Sequence, residues 1–194
     1  MAITDMINGS AVAAVISNPR LSDNPIIDCN DAFVALTGYA REEVIGRNCR
    51  FLTGPDSEPD RKEALRQGIH AQRPVMVEIT NYRKNGERFR NAVLVAPIFD
   101  ADGQIEYYLG SQMEVAGPDG MLQQRDSARA RIEALTERQR AVLVAMAAGK
   151  LNKQIAWEMG LAERTVKMHR AAMFQALGVR TGADAVRLAV EAGF

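Results

Sequence analysis

Two cysteines, two histidines and one tryptophan are all that 194 residues offer of the side chains that staple, ligate or stack most strongly. Cys29 and Cys49 cannot build a disulfide framework. With no CxxC and no Cys/His cluster, zinc has no seat, and no metal is expected. The apolar run at residues 11–16 is too short to cross a bilayer. It also lacks the basic flank and cleavage site of a signal peptide. These absences point to a cytoplasmic protein with free thiols and no membrane partner. No GxGxxG follows a strand, and no acid–base pair accompanies either cysteine, so an enzyme is not expected.

A formal net charge of zero hides an asymmetry. Residues 1–116 sum to −4 and residues 135–194 to +4. A basic C-terminal third after an acidic N-terminal part favours a polyanionic partner for the former.

The two parts also differ in texture. Residues 11–17 read as a strand and residues 28–30 as a turn. Residues 31–37 and 41–45 read as short helices stopped at Gly38 and Gly46, and residues 59–71 as a helix opened by Pro59. Three strands follow, over 75–83, 88–99 and 105–115. Lys84-Asn85-Gly86 and Ala101-Asp102-Gly103 lie between them, both strong hairpin signals. The class is α+β, an antiparallel sheet with helices on one face. Ala116-Gly117-Pro118-Asp119-Gly120 breaks the pattern. Residues 117–134 read as a helical linker with a thin apolar stripe of Met121, Leu122, Ala128, Ile132 and, just beyond, Leu135. Helices are expected over 135–148 (N-cap Thr136), 152–159, 163–177 and 181–192, the last with Thr181 and Asp184 spaced as a capping box.

Two of those helices joined at Gly160 have helix-turn-helix spacing. "LTERQRAVL", "NKQIAWEMG", "ERTVKMH" and "ALGV" resemble the DNA-binding domain of LuxR/FixJ-type regulators over about sixty residues. The resemblance implies an all-α four-helix domain over 135–194 that binds double-stranded DNA, with residues 163–177 as the recognition helix. Independently, helical spacing assigns Val166, Ala172 or Met173, and Leu177 to the buried stripe. That leaves Arg164, Thr165, Lys167, Met168 and Ala171 outward. Lys153, Arg164, Thr165, Lys167, Met168 and Arg170 are the candidate DNA contacts, for base edges or phosphates; read without the resemblance, this is equally a solvated basic helix. Ala162 stands where the family usually carries a cap, and Gln139 where it often has glutamate. Ala185, Val186, Ala189 and Val190 form a stripe that packs on its own domain or on a twin. The resemblance implies a homodimer interface, formed in the lit or DNA-bound state from a dark monomer.

"GRNCRFLTGP" surrounds Cys49. Alone, that cysteine is a small buried hydrophobe or a reactive thiol. The stretch resembles the cysteine motif of LOV domains, the flavin-binding, blue-light-sensing branch of the PAS fold, with Thr53 in place of the usual glutamine. Asn30-Asp31-Ala32-Phe33, Thr37-Gly38-Tyr39, Asn81 to Lys84 with Gly86, Asn91, and Gly110-Ser111-Gln112 continue the likeness. It implies a five-stranded PAS/LOV domain over 1–116 binding FMN, with FAD less favoured. Asn48, Cys49, Arg50, Leu52, Thr53 and Arg66 would lie around the cofactor, with Asn81, Asn91 and Gln112 on its polar edge. Phe33, Val15, Val95 and Leu109 would wall the ring. By residue chemistry alone, the amides could instead satisfy backbone groups and the arginines could be surface ion pairs. The resemblance further implies that light joins the Cys49 sulfur to the flavin and that Gln112 reorients in response.

Together these parts resemble bacterial LOV–helix-turn-helix photoreceptor transcription factors. The expectation is a dark sensor that covers the dimer stripe; adduct formation releases the C-terminal domain to dimerise and bind DNA. The alternative is a regulator controlled by flavin redox state or another small ligand, without photochemistry.

Overall fold

Hairpins closed by the two Asx-Gly turns order most of the sheet. The computed structural model describes residues 3–115 and 120–194. Its sheet comprises β1 (Ala13–Ser17), β2 (Ile26–Cys29), β3 (Val75–Tyr82), β4 (Arg88–Phe99) and β5 (Ile105–Glu114). All neighbours are antiparallel, in the order β2-β1-β5-β4-β3. The helices α1 (Asp31–Thr37), α2 (Arg41–Val44) and α3 (Pro59–His70), with 3-10 turns at Ile3–Met6 and Cys49–Leu52, complete the N-terminal domain. The C-terminal domain contains α4 (Gly120–Glu133), α5 (Glu137–Ala147), α6 (Asn152–Glu158), α7 (Glu163–Leu177) and α8 (Gly182–Ala192).

One strand departs from the sequence reading. Residues 28–30 look like a turn, yet Ile26–Cys29 is β2. Asp28 sits in it with its side chain almost fully enclosed, neutralised by the Arg41 guanidinium. A carboxylate in a strand lowers the strand signal until its partner, 13 residues on, is known.

Strand alternation gives the sheet two different faces. Val93, Val95, Gly110 and Gln112 point to one side, where they meet the helices of the N-terminal domain. Leu94, Ala96, Ile98 and Leu109 point to the other and join one apolar cluster with α4, α5, α7 and α8. Helix α8 is buried almost all round, including Ala185, Val186, Leu188 and Ala189. A helix with no solvated face lies between two layers. Here they are its own domain, through α4 and α5, and the N-terminal sheet, through β3, β4 and β5.

The expected linker helix is α4. Its Ala128 and Ile132, with Leu135 just beyond, are buried against the rest of the C-terminal domain. The break at 116–119 and the side chains of Met121 and Leu122 lie outside the described residues. Thr136 and Gln139 form a reciprocal capping box at 3.3 and 3.0 Å, so the glutamine completes the α5 start as a glutamate would. Ala162 gives α7 no side-chain cap. None of the described helices is long and apolar enough to cross a membrane.

Candidate functional site

A cavity of 540 Å³ opens between the inner sheet face, α3 and the 3-10 turn that carries Cys49. Its wall is a relay of amides. Asn91 Nδ2 donates to Asn81 Oδ1 at 2.8 Å and approaches Gln112 Oε1 at 3.5 Å. Gln112 Nε2 then donates to Cys49 Sγ at 3.3 Å. The register puts these amides together: Gln112 pairs with Val93 on β4 and Ala13 on β1, while Asn91 pairs with Ile79 on β3. All three amides are buried, and Asn91 Oδ1 has no partner. An unpaired buried acceptor costs about 1–3 kcal/mol.

Burial pushes the Cys49 thiol up to about 11, with the Gln112 hydrogen bond opposing the rise. The group at the cavity wall is therefore a neutral S–H at neutral pH. Asn48 caps its turn, accepting from Arg50 N at 3.1 Å and donating to the Asp23 and Asn24 carbonyls. Thr53, standing where the motif usually has glutamine, turns back to donate to the Arg50 carbonyl at 2.8 Å. Arg50 pairs with Asp23, and Arg66 with Glu63 at 2.5 Å.

The cavity surface includes Val15, Asn48, Cys49, Arg50, Thr53, Arg66, Asn81, Val95 and Gln112. Asn91 stands just behind it in the amide relay. Phe33 and Leu52 pack with Val15 in a core cluster behind the wall. Leu109 is a correction: it faces the opposite side, in the cluster with α8, because the period of two that turns Gly110 inward turns its neighbour outward. The same alternation, followed two residues from Asn81, Val95 and Gly110, brings Ile79, Val93 and Tyr108 to the cavity beside the motif residues. Lys62, Leu65 and Ile69 come from α3.

In the C-terminal domain, Lys153, Arg164, Lys167 and Met168 are exposed and Thr165 is half-buried. Lys167 pairs with Glu163 one turn back at 3.2 Å. Val166, Met173 and Leu177 form the buried stripe of α7, which settles the choice between Ala172 and Met173. Arg170, the remaining candidate DNA contact, is half-buried. Its guanidinium donates to Asn152 at 2.5 Å and lies over the Phe174 ring, and burial lowers its pKa. It braces α6 against α7, two positions past the outward Met168.

The two domains meet at more than α8. Arg187, on α8 and 3 % exposed, donates to the Ala92 carbonyl and Ser111 Oγ of the sheet at 3.2 and 3.1 Å. Ser10 hydrogen-bonds the Asp184 carboxylate. Gln154 donates to the Asp100 carbonyl at 2.9 Å, and Phe99 N–H to the Gly149 carbonyl at 3.2 Å. Gly149 has φ +81°, and a Cβ there would overlap the Pro97 carbonyl and lie 2.9 Å from the Phe99 ring. Gly149→Ala is expected to weaken this contact by about 1–3 kcal/mol. Amide exchange at Phe99 should then accelerate about tenfold for each 1.4 kcal/mol lost.

Sequence comparison assigns both halves. The PAS domain family matches residues 12–115, more than half of the chain. The chain belongs to the PAS family. Bacterial regulatory proteins of the luxR family match residues 133–189. Over 104 residues, 54 % of the chain, it is 50 % identical to blue-light-activated histidine kinase 1 of Erythrobacter litoralis. Over 101 residues it is 44 % identical to a blue-light-activated histidine kinase of Brucella canis. The matches span 29 % and 21 % of those proteins, and the likeness is confined to the sensor region. A structure from a flavin-analogue study of the light-oxygen-voltage mechanism matches with TM-score 0.56 and 39 % identity, over 60 % of this chain and 86 % of that one. The LOV domain of the Erythrobacter litoralis EL346 kinase matches with TM-score 0.52 and 38 % identity, over 55 % of this chain and 97 % of that one. This PAS/LOV sensor is thus fused to a luxR-type helix-turn-helix domain. The kinase relatives share only the PAS/LOV part.

Proposed function

We propose that the chain is a blue-light-gated transcription regulator. Its LOV domain holds a flavin, FMN in preference to FAD, and its luxR-type domain binds double-stranded DNA as a homodimer after illumination. The observation that carries this reading is the amide relay ending on a neutral sulfur inside the cavity. At 540 Å³ the space is within the ~300–1,000 Å³ range of small-molecule sites.

The residues fit a flavin. A heteroaromatic edge bearing both donors and acceptors would satisfy the orphaned Asn91 Oδ1 and share the Asn81 and Gln112 amides. Gly110 leaves a flat wall: a Cβ there would come within 2.7 Å of the Val15 side chain. Arg50 and Arg66 lie at the mouth for a phosphate. Bound there, a flavin supplies a light-excitable ring that accepts a bond from a nearby sulfur. The chain contributes the rest. Cys49 brings the sulfur and its proton. Gln112 holds that sulfur, and when its acceptor changes the amide must find new partners.

Gln112 and Ser111 are neighbours on β5 facing opposite sides, and Ser111 receives the Arg187 hydrogen bond. One residue step therefore joins the cavity to α8. The docked form, with α8 against the sheet, is incompatible with using that face for a twin. Light shifts the balance from docked monomer to free, dimerising domain, a shift that needs only a few kcal/mol. The test is whether purified protein is yellow, bleaches reversibly in blue light, and binds DNA more tightly when lit. Equal dark and lit affinity and size would rule out gating by light.

A further inference from the structure

We propose that Lys62 adds a third cation to the phosphate seat of Arg50 and Arg66, and that Asp23 is a carboxylate competing with the phosphate for Arg50. This rests on the flavin reading and concerns the ligand's phosphate end alone.

Four charged side chains line the mouth: Asp23, Arg50, Lys62 and Arg66. Their sum is +2, which matches the roughly −1.5 to −2 of a phosphate monoester at neutral pH. Two of the three cations are already engaged, Arg50 by Asp23 and Arg66 by Glu63. Lys62 is half-buried, and its ammonium has no ion-pair partner among the described residues. It stands one helical turn before Arg66 on α3, so both side chains reach the same side. It meets an anion without first breaking a pair.

Asp23 acts in the opposite sense. Asp23 and Asn24 have φ of +69° and +46°, conformations that residues other than glycine rarely adopt. Asn48, the residue before Cys49, fixes them by donating to both carbonyls, at 2.6 and 3.4 Å. The carboxylate is thereby placed at the mouth by a braced loop. A phosphate must displace it from Arg50 or sit beside it. The same brace leaves Asn24 Oδ1 buried and without a partner, an acceptor suited to the hydroxylated chain between ring and phosphate.

The test strips flavin from the full chain and titrates FMN and riboflavin in the dark, following flavin fluorescence. Lys62→Gln should weaken FMN about fivefold and leave riboflavin unchanged. Asp23→Asn keeps a residue that tolerates the left-handed backbone. It should tighten FMN about fivefold, again without effect on riboflavin. Added salt should narrow the preference for FMN over riboflavin. If both flavins bind but neither substitution alters their ratio, or each moves both ligands equally, the roles of Lys62 and Asp23 are overturned while the flavin reading stands. If neither flavin binds, both are overturned.

Discussion

Glu191→Ala protein is expected to open in the dark, with the hydrodynamic radius and DNA affinity of the illuminated wild type. The reason is the electrostatics of α8. Arg187 is buried between α8 and the sensor sheet, with Nε bonded to Glu191 Oε1 at 2.7 Å. Its Nη1 serves Ala92 and Ser111, and its Nη2 is buried without a partner. Burial lowers the pKa of this arginine and Glu191 offsets part of the fall; guanidinium nonetheless stays charged. Removing Glu191 strands a buried cation, at a cost of about 3–5 kcal/mol. That cost falls on the docked form, because undocking returns the guanidinium to water. A switch balanced within a few kcal/mol is then tipped open.

Removing both ends of the pair gives the opposite sign. Arg187→Met with Glu191→Leu removes both charges together with their desolvation and keeps the apolar stems. Replacing a buried pair by apolar side chains is often neutral or stabilising, by about 1–4 kcal/mol. This double variant should stay docked and respond weakly to light. Scattering in the dark and after illumination reads both outcomes. If the single and the double variant opened the protein alike, the pair would be plain packing and the electrostatic account of the dock would be lost.

Neither Arg187 nor its partner was legible in the sequence, and the reason is instructive. The capping box at Thr181 and the apolar spacing of Ala185, Val186, Ala189 and Val190 mark α8 plainly. An arginine in the middle of that helix reads as its wet side. Only the sheet, some 90 residues away in the chain, makes it a buried residue. The same limit applies to Arg170, a candidate DNA contact by sequence whose guanidinium is engaged by Asn152 of α6. Local chemistry was more readable. Alternation from Asn91 to Val95 puts amide and apolar residues on one face, and the α7 stripe follows from a period of 3.6. Alternation applied strictly would also have turned Leu109 away from the cavity, since Gln112 faces it. The seat at the cavity mouth needed tertiary structure, because Asp23, Arg50 and Lys62 come from three separate segments.

Cys49→Ala protein is expected to keep its yellow colour and to lose light-driven bleaching entirely. The amide relay, Gly110 and the mouth cations do not depend on the sulfur, so flavin binding should survive. No second thiol can substitute: Cys29 is fully buried beside Phe33 and does not line this cavity. The pH dependence separates a trapped neutral thiol from a thiolate active at rest. The Cys49 thiol lies at about 11 against an ordinary 9.0. Raised in the folded state, it contributes stability that is fully present below pH 9.0 and is lost as pH rises through about 11. Bleaching amplitude should therefore be flat up to pH 9.0, and alkylation in the dark should be slow over the same range. An amplitude that instead rose along a thiolate titration below pH 9.0 would remove the neutral sulfur from the account. Gln112→Leu then isolates the next step. With the sulfur intact, bleaching persists. With the amide gone, nothing on β5 registers the change beside Ser111, and the DNA affinities of dark and lit protein should converge.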